Sequence, residues 1–279
     1  MSAILRNKAG LSLEAGRETA WQVQETDPST ETDSSQGNSP VGYSGVEENS
    51  APFHAFLEYS TTLLFPMLFI SCLYLSVTHV YQPQRYWLAA LGIPFGLVFS
   101  DLVTGLLHWA ADTYGSPETP VLGPSIVKGF RLHHSYPRDI TTHNLVTTVG
   151  TSCILAVPVL SLCLCLMWLM PHSNWLALIV AWLTLLTGAS VAANEFHKWA
   201  HQEKPTAIAR WLQRARLVLE PSHHERHHTE PFNMHYCITT GWLNPLLNRI
   251  KFFRKLEAAL RLLGIKTQVD KTRFPGESA

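Results

Sequence analysis

Charge is scarce in this 279-residue chain: Asp, Glu, Lys and Arg make up 15% of it, and the 21 Lys+Arg are balanced by 21 Asp+Glu. A formal charge of zero leaves no electrostatic footprint for nucleic acid. Cysteine is also rare. The count of five is odd, with Cys72, Cys153, Cys163 and Cys165 in apolar stretches and Cys237 in a polar one, so no disulfide framework is expected. No apolar run lies near the N-terminus, which argues against a cleavable secretory signal. Apolar residues are themselves sparse over 22–51, where Ser, Thr, Asp, Glu, Asn and Gly dominate. Such a segment cannot bury enough surface to offset the entropy of ordering, and residues 1–52 are expected to form a disordered tail. Residues 1–50 hold eight acids against Arg6, Lys8 and Arg17, which leaves the remainder net basic by five.

Long apolar runs are what the chain has in quantity. Four stretches, at roughly 57–80, 86–110, 145–170 and 174–193, are long enough to cross a bilayer, which takes about 20 helical residues. Pro66, Pro94 and Pro158 fall inside them, as membrane helices tolerate. Burial of all four in a soluble core is the alternative, but runs with almost no charge are hard to hide in a chain this short. The expected fold is all-α: an integral membrane four-helix transmembrane bundle with a histidine-rich cap, spanning residues 53–265 and followed by a tail at 266–279. Four spans put the N-terminus, the 111–144 loop and everything after 194 on one side. That side carries twenty of the 21 Lys and Arg, and the other carries Arg85 alone. The bias predicts that termini and cap are cytosolic.

After Asn244-Pro245, Leu246, Ile250, Phe253, Leu256, Leu260 and Leu263 recur at helical spacing among Arg249, Lys251, Arg254, Lys255 and Arg261. This pattern suits a helix on an anionic membrane surface, or one packed on the protein's own polar cap.

Fourteen histidines are the most unusual count. His108 ends the second span with Asp112 one turn on. His133 and His134 lie in "RLHHSYP", His197 and His201 in "HKWAH", and His223, His224, His227, His228 and His235 crowd "PSHHERHHTEPFNMHYC". Residues four apart share a helix face, so His197 with His201, and His108 with Asp112, can grip one ion. His224, His227 and His228 combine three- and four-residue spacings, which lets one segment reach two metals. A closed zinc site takes four ligands and a catalytic one three. Eight or more candidates overfill one zinc and fit two ions. Imidazole alone does not choose among zinc, copper, iron and nickel.

Asp101 lies inside the second span, where a charge costs roughly 2.5–3.5 kcal/mol on insertion scales. It is expected to orient a ligating imidazole from behind, or to make a hydrogen bond between packed helices. Asp112 is expected to support the ligands in the same way. A rival motif is present: His224, Glu225 and His228 form His-Glu-x-x-His, the zinc metalloprotease pattern with Glu225 as general base. Pro221 and Pro231 bracket that segment and leave little room for a long helix. The other histidine groups would then have no task. A metal sensor without catalysis is a further alternative.

The blocks "HWAADTYGSPETP", "FRLHHSYPRDIT", "NEFHKWAH" and "HHERHHTEPFNMHYCITTGWLNP" resemble the plasmanylethanolamine desaturases. That wider family includes bacterial carotenoid-synthesis regulators and a plant desaturase acting on plastid phosphatidylglycerol. The resemblance covers about residues 97–263. It implies a membrane diiron enzyme that removes two hydrogens from the alkyl ether chain of a plasmanyl phospholipid, giving the vinyl ether of a plasmalogen. Implied cofactors are two non-haem iron ions, with O2 as co-substrate. Implied partners are the ether phospholipid and an electron donor such as cytochrome b5 or a ferredoxin. Eight ligands are implied: His108, His133, His134, His197, His201, His224, His227 and His228. His223 and His143 are lesser candidates, and His54, His79 and His172 fall outside every motif. The segment "THNLVTTVGTSC" differs from the animal and plant branches, so acyl-lipid desaturation stays open beside the ether-lipid reaction. The expected home is the endoplasmic reticulum in a eukaryote, or the inner membrane in a bacterium.

Overall fold

The computed structural model describes residues 52–79, 86–116, 127–170 and 173–267, and every regular element among them is helical. The expected N-terminal tail, apart from Pro52, lies outside the described residues. So do the segment holding Arg85, the 117–126 part of the histidine loop, His172, and the expected C-terminal tail beyond Thr267.

Among the described residues, four helices are long and apolar enough to cross a membrane: α1 (Pro52–His79), α2 (Tyr86–Thr113), α4 (Leu145–Leu169) and α5 (Asn174–His201). At about 1.5 Å per residue, 28 residues reach roughly 42 Å, beyond a hydrocarbon core of about 30 Å. The overshoot matters, because the last turns of α2 and α5 carry histidines. Asn144 and Ser173 start α4 and α5 by accepting from the Thr147 and Leu176 backbone N–H groups, relieving donors with no intrahelical partner. The expected fourth span stops at 193, but α5 continues to His201. Its polar residues find partners that spare the helix: Asn194 Nδ2 donates to Ser152 Oγ at 2.8 Å, and Trp199 Nε1 donates to Glu195 Oε1 at 3.1 Å.

Helix α5 packs against α1, α2 and α4, with α1 also paired to α4. Small residues permit this. A Cβ on Gly96 of α2 would stand 3.1 Å from the Leu185 and Leu186 backbone of α5. One core joins Cys72, Leu160, Cys163, Met167, Ala177, Leu178 and Val180. Leu63, Met67, Ile70, Trp168 and Trp175 stay exposed, as suits side chains facing lipid.

The remaining elements are short and polar: α3 (Lys128–Ser135), a 3₁₀ turn (Asp139–Thr142), α6 (Ala207–Arg214), α7 (Pro221–His227), α8 (Asn244–Arg249) and α9 (Phe252–Leu262). The single amphipathic helix expected after Asn244 is broken at Lys251, which takes φ 54 between α8 and α9. The break divides the apolar stripe. Phe253, Leu256 and Leu260 pack with Trp109 and Tyr236, and Trp109 Nε1 donates to buried Glu257 at 3.0 Å. Leu246, Ile250 and Leu263 remain exposed.

Candidate metal centre

Five imidazoles from three segments converge in one group: His133 of α3, His197 and His201 of α5, and His224 and His228 of α7 and its C-terminal end. One ligand atom from each lies within 4.8 Å of all the others. His197 Nε2 is 2.7 Å from His224 Nε2, which is 2.9 Å from His228 Nε2, and His201 Nε2 is 3.3 Å from His197 Nε2. Nitrogens bound at about 2.0–2.1 Å to a common ion stand roughly 2.9–3.4 Å apart in octahedral or tetrahedral arrangements. The 2.9 and 3.3 Å spacings fall in that range, and the 2.7 Å spacing lies just below it. The Nε2 atom of His133 is buried with no hydrogen-bond partner, as expected of an atom whose natural partner is a cation.

A second group joins His108 and Asp112 of α2, His134 of α3 and His227 of α7. Asp112 Oδ2 sits at its middle, 3.1 Å from His134 Nε2 and 3.6 Å from both His108 Nε2 and His227 Nε2. The two groups share a wall. His133 and His134 are consecutive in sequence, and ring centroids of His224 and His227 are 5.7 Å apart. All eight predicted histidines thus fall into the two groups, with Asp112 as a ninth member. The Asp112 oxygen stands among the histidine nitrogens, in the place of a ligand and not behind one.

Two imidazoles of the second group are locked from behind. His108 Nδ1 donates to the Tyr236 carbonyl at 3.1 Å, and His227 Nδ1 donates to the Met234 carbonyl at 2.8 Å. A carbonyl can only accept, so each Nδ1 carries the proton and each Nε2 keeps its lone pair turned to Asp112. The Tyr236 ring packs on both, with centroids 5.7 Å from His108 and 5.2 Å from His227. The sequence reading missed these partners, because backbone acceptors have no residue signature. The one available signal was the motif-dense block around "NMHYC".

Asp101 stands apart from both groups. It is fully buried, and its carboxylate contacts no histidine. It accepts from Thr240 N (2.8 Å), Thr240 Oγ1 (2.8 Å), Gly241 N (3.1 Å) and Leu243 N (3.3 Å). The two lesser candidates stay outside both groups: His143 lies 3.3 Å from Asp139, and the ring of His223 lies 5.5 Å from that of His235. His54 lies 3.8 Å from Glu58, and His79 Nδ1 is 2.7 Å from the Leu75 carbonyl. Glu225 is exposed, while His224 and His228 belong to a five-imidazole group. The metalloprotease geometry of three ligands beside a general base is not formed.

Burial pushes His133, His224 and His227 well below the usual imidazole range, with neighbouring imidazoles adding to the effect. His228 is brought to about 3, again chiefly by burial and then by His201 and His134. Neutral rings are the metal-binding form. Apolar rings flank the site: Phe130 lies 4.9 Å from His108, and Phe232 lies 4.8 Å from His134. Donor type, number and spacing all fit a pair of imidazole-bound ions.

Comparison with known proteins agrees. Residues 97–270 match the model of the lipid desaturase domain. Plasmanylethanolamine desaturase of Myxococcus xanthus is 39% identical over 175 residues, covering 61% of this chain and 60% of that protein. The chain thus spans about three fifths of the length of that relative. Plasmanylethanolamine desaturase 1 of Mus musculus is 34% identical over 195 residues, covering 67% of this chain and 70% of the mouse protein. The chloroplastic fatty acid desaturase 4-like 1 of Arabidopsis thaliana is 33% identical over 185 residues, covering 63% and 58%. No solved structure matches. Both metal-ligand groups lie inside the matched region, which covers well over half the chain, and the chain belongs to the lipid desaturase family of membrane oxidoreductases.

Proposed function

We propose that this protein is a diiron desaturase that introduces the vinyl ether double bond into the alkyl ether chain of plasmanylethanolamine, using O2 and two electrons. The observation that carries the reading is the meeting of nine ligand atoms in two adjacent groups at the ends of α2 and α5. The ether-lipid substrate rests on likeness to the Myxococcus xanthus and mouse proteins of that name. In this reading His133, His197, His201, His224 and His228 hold one iron, and His108, Asp112, His134 and His227 hold the other. His143 and His223 are not ligands.

An unactivated C–H bond offers an acid or base nothing to grasp, so the metal pair, when bound, supplies the redox chemistry with dioxygen. The protein supplies geometry and dryness. The Met234 and Tyr236 carbonyls hold two rings in one tautomer. Phe130, Phe232 and Tyr236 exclude water, which protects a reactive site from side reactions. His108 lies five residues before the end of α2 and His197 four before the end of α5, about 6–8 Å along the axes. A site near the polar layer suits carbons close to the glycerol, because the head group can stay hydrated while the chain is positioned. The excess of Lys and Arg on the histidine side supports a cytosolic centre. The two electrons come from a carrier such as cytochrome b5 or a ferredoxin.

Lipid analysis of cells with and without the protein tests the substrate. Acid-labile vinyl ethers that appear only with the protein support the reading. A new acyl double bond with no vinyl ether replaces it with acyl-lipid desaturation, the activity in the name of the Arabidopsis relative.

A further inference from the structure

The feature that the metal ligands leave unexplained is Asp101, a fully buried carboxylate inside a membrane helix. Among the described residues, its hydrogen-bond partners include no Lys, Arg or His. Four donors reach it, all from residues 240–243, and each of its oxygens takes two of them. A carboxylate offers about four acceptor positions, so one side chain on α2 is saturated by a single turn of chain. Neighbours reinforce the seam. Thr239 Oγ1 is 2.7 Å from Ser100 Oγ and 3.3 Å from Thr104 Oγ1, and Ser190 of α5 donates to Ser100 at 3.2 Å.

The turn it holds stands at the root of the second metal group. Asn244 follows at once, and its side chain clasps Cys237 through both the backbone N–H and the carbonyl, each at 3.0 Å. One residue before Cys237 is Tyr236, whose carbonyl locks His108, and two before that is Met234, whose carbonyl locks His227. Asp101 and His108 are seven residues apart on one helix, two turns along the same face. The chain therefore leaves α2 at Asp101, crosses the 240–244 turn, runs back through 237–234, and returns to α2 at His108. This closed circuit sets where the two carbonyls stand relative to the helix that bears the ligand.

We propose that Asp101 is a positioning residue for the metal held by His108, Asp112, His134 and His227, acting through the 234–244 strap. The inference rests on the two-metal reading above. It separates the two groups. Among the described residues, the strap's carbonyls touch imidazoles of the second group only, while the imidazoles of His197, His201, His224 and His228 turn to one another. Loosening the clamp frees His108 and His227 to turn or change tautomer, and the second ion is lost first. Losing the partner behind a ligand typically weakens metal binding about 10- to 100-fold.

The test measures metal per chain in the purified full-length membrane protein after iron loading and mild chelation, together with thermal unfolding and the Mössbauer spectrum. Asp101→Asn is the main variant. Thr240→Val removes only the hydroxyl donor and is the gentler companion should the first fail to fold. Wild type is expected to keep two ions. Asp101→Asn is expected to fall toward one, with one iron environment missing from the spectrum. Thr240→Val is expected to keep both until the chelator is raised about tenfold. If folded Asp101→Asn or Thr240→Val holds both ions as tightly as wild type and only melts earlier, the carboxylate is merely structural and the proposal falls. Loss of both ions in parallel overturns it as well. A wild type that never binds two ions overturns the diiron reading instead, so the two failures are distinct.

Discussion

His197 and His224 bring their Nε2 atoms to 2.7 Å although 27 residues separate them in the chain. Two neutral rings cannot both turn lone pairs on each other without cost, and both are fully or nearly fully buried. A cation between the lone pairs would remove that cost. Replacing His197 or His224 with Ala should therefore abolish desaturation and cut iron per chain by about half or more. The readouts are iron content and lipid product in cells lacking endogenous activity. Full activity in either variant would remove the five-imidazole group from the mechanism.

Asp112→Asn keeps the shape of the side chain and removes its charge. The second group would then hold its ion with neutral donors alone. Affinity at that position should fall by about 10- to 100-fold, while the five-histidine group is spared. Titration of metal-free protein with ferrous iron should resolve a weak and a strong phase in the variant. Two unchanged strong phases would return Asp112 to a supporting role behind the ligands.

Acid should destabilise the metal-free protein. Burial lowers His133, His224 and His227 well below 6.5, and His228 to about 3. In the unfolded chain these imidazoles titrate near 6.5. Between the folded and unfolded values the unfolded chain binds more protons, so stability rises with pH through that window. The contribution is fully present above about pH 6.5 and is lost as pH falls toward about 3. Thermal unfolding in detergent with chelator should show a melting temperature that drops on acidification. A flat or rising profile would mean that the rings are hydrated.

Phe253→Ala tests the packing of α9 against the centre. Phe253 is buried, with its ring 4.7 Å from Tyr236 and 5.7 Å from Trp109. Truncating a buried Phe typically costs about 3–5 kcal/mol. The variant should melt well below wild type and lose activity at elevated temperature before it loses bound iron at low temperature.

Glu225→Gln discriminates against hydrolysis. Glu225 is exposed beside the groups, and surface changes of this kind are usually worth within about 0.5 kcal/mol. Desaturation should persist within about twofold of wild type. Complete loss would revive Glu225 as a general base.

Hydropathy made the four long helices readable, since few alternatives hide runs so apolar. The end of α5 was not readable, because Asn194 and Glu195 look like a boundary until Ser152 and Trp199 are seen to satisfy them. Spacing exposed which histidines share a helix face. It did not say that His227 turns to Asp112 while its neighbours His224 and His228 turn to His197 and His201, since that division depends on where α3 and α5 arrive. Asp101 was conspicuous by its depth, yet its partners are mostly backbone N–H groups 139 to 142 residues away. The break at Lys251 was equally hidden: an unbroken apolar period gave no warning of a left-handed residue.

His133 and His134 belong to different groups although one peptide bond joins them, and the single short helix bearing His224 and His227 also serves both. Neighbouring Cα atoms stand about 3.8 Å apart whatever the surroundings do. The two ligand groups are thus tied to each other by one short stretch of backbone, which limits how far apart they could drift. A movement of α3 or α7 would therefore carry ligands of both groups with it, so that neither group could be displaced alone.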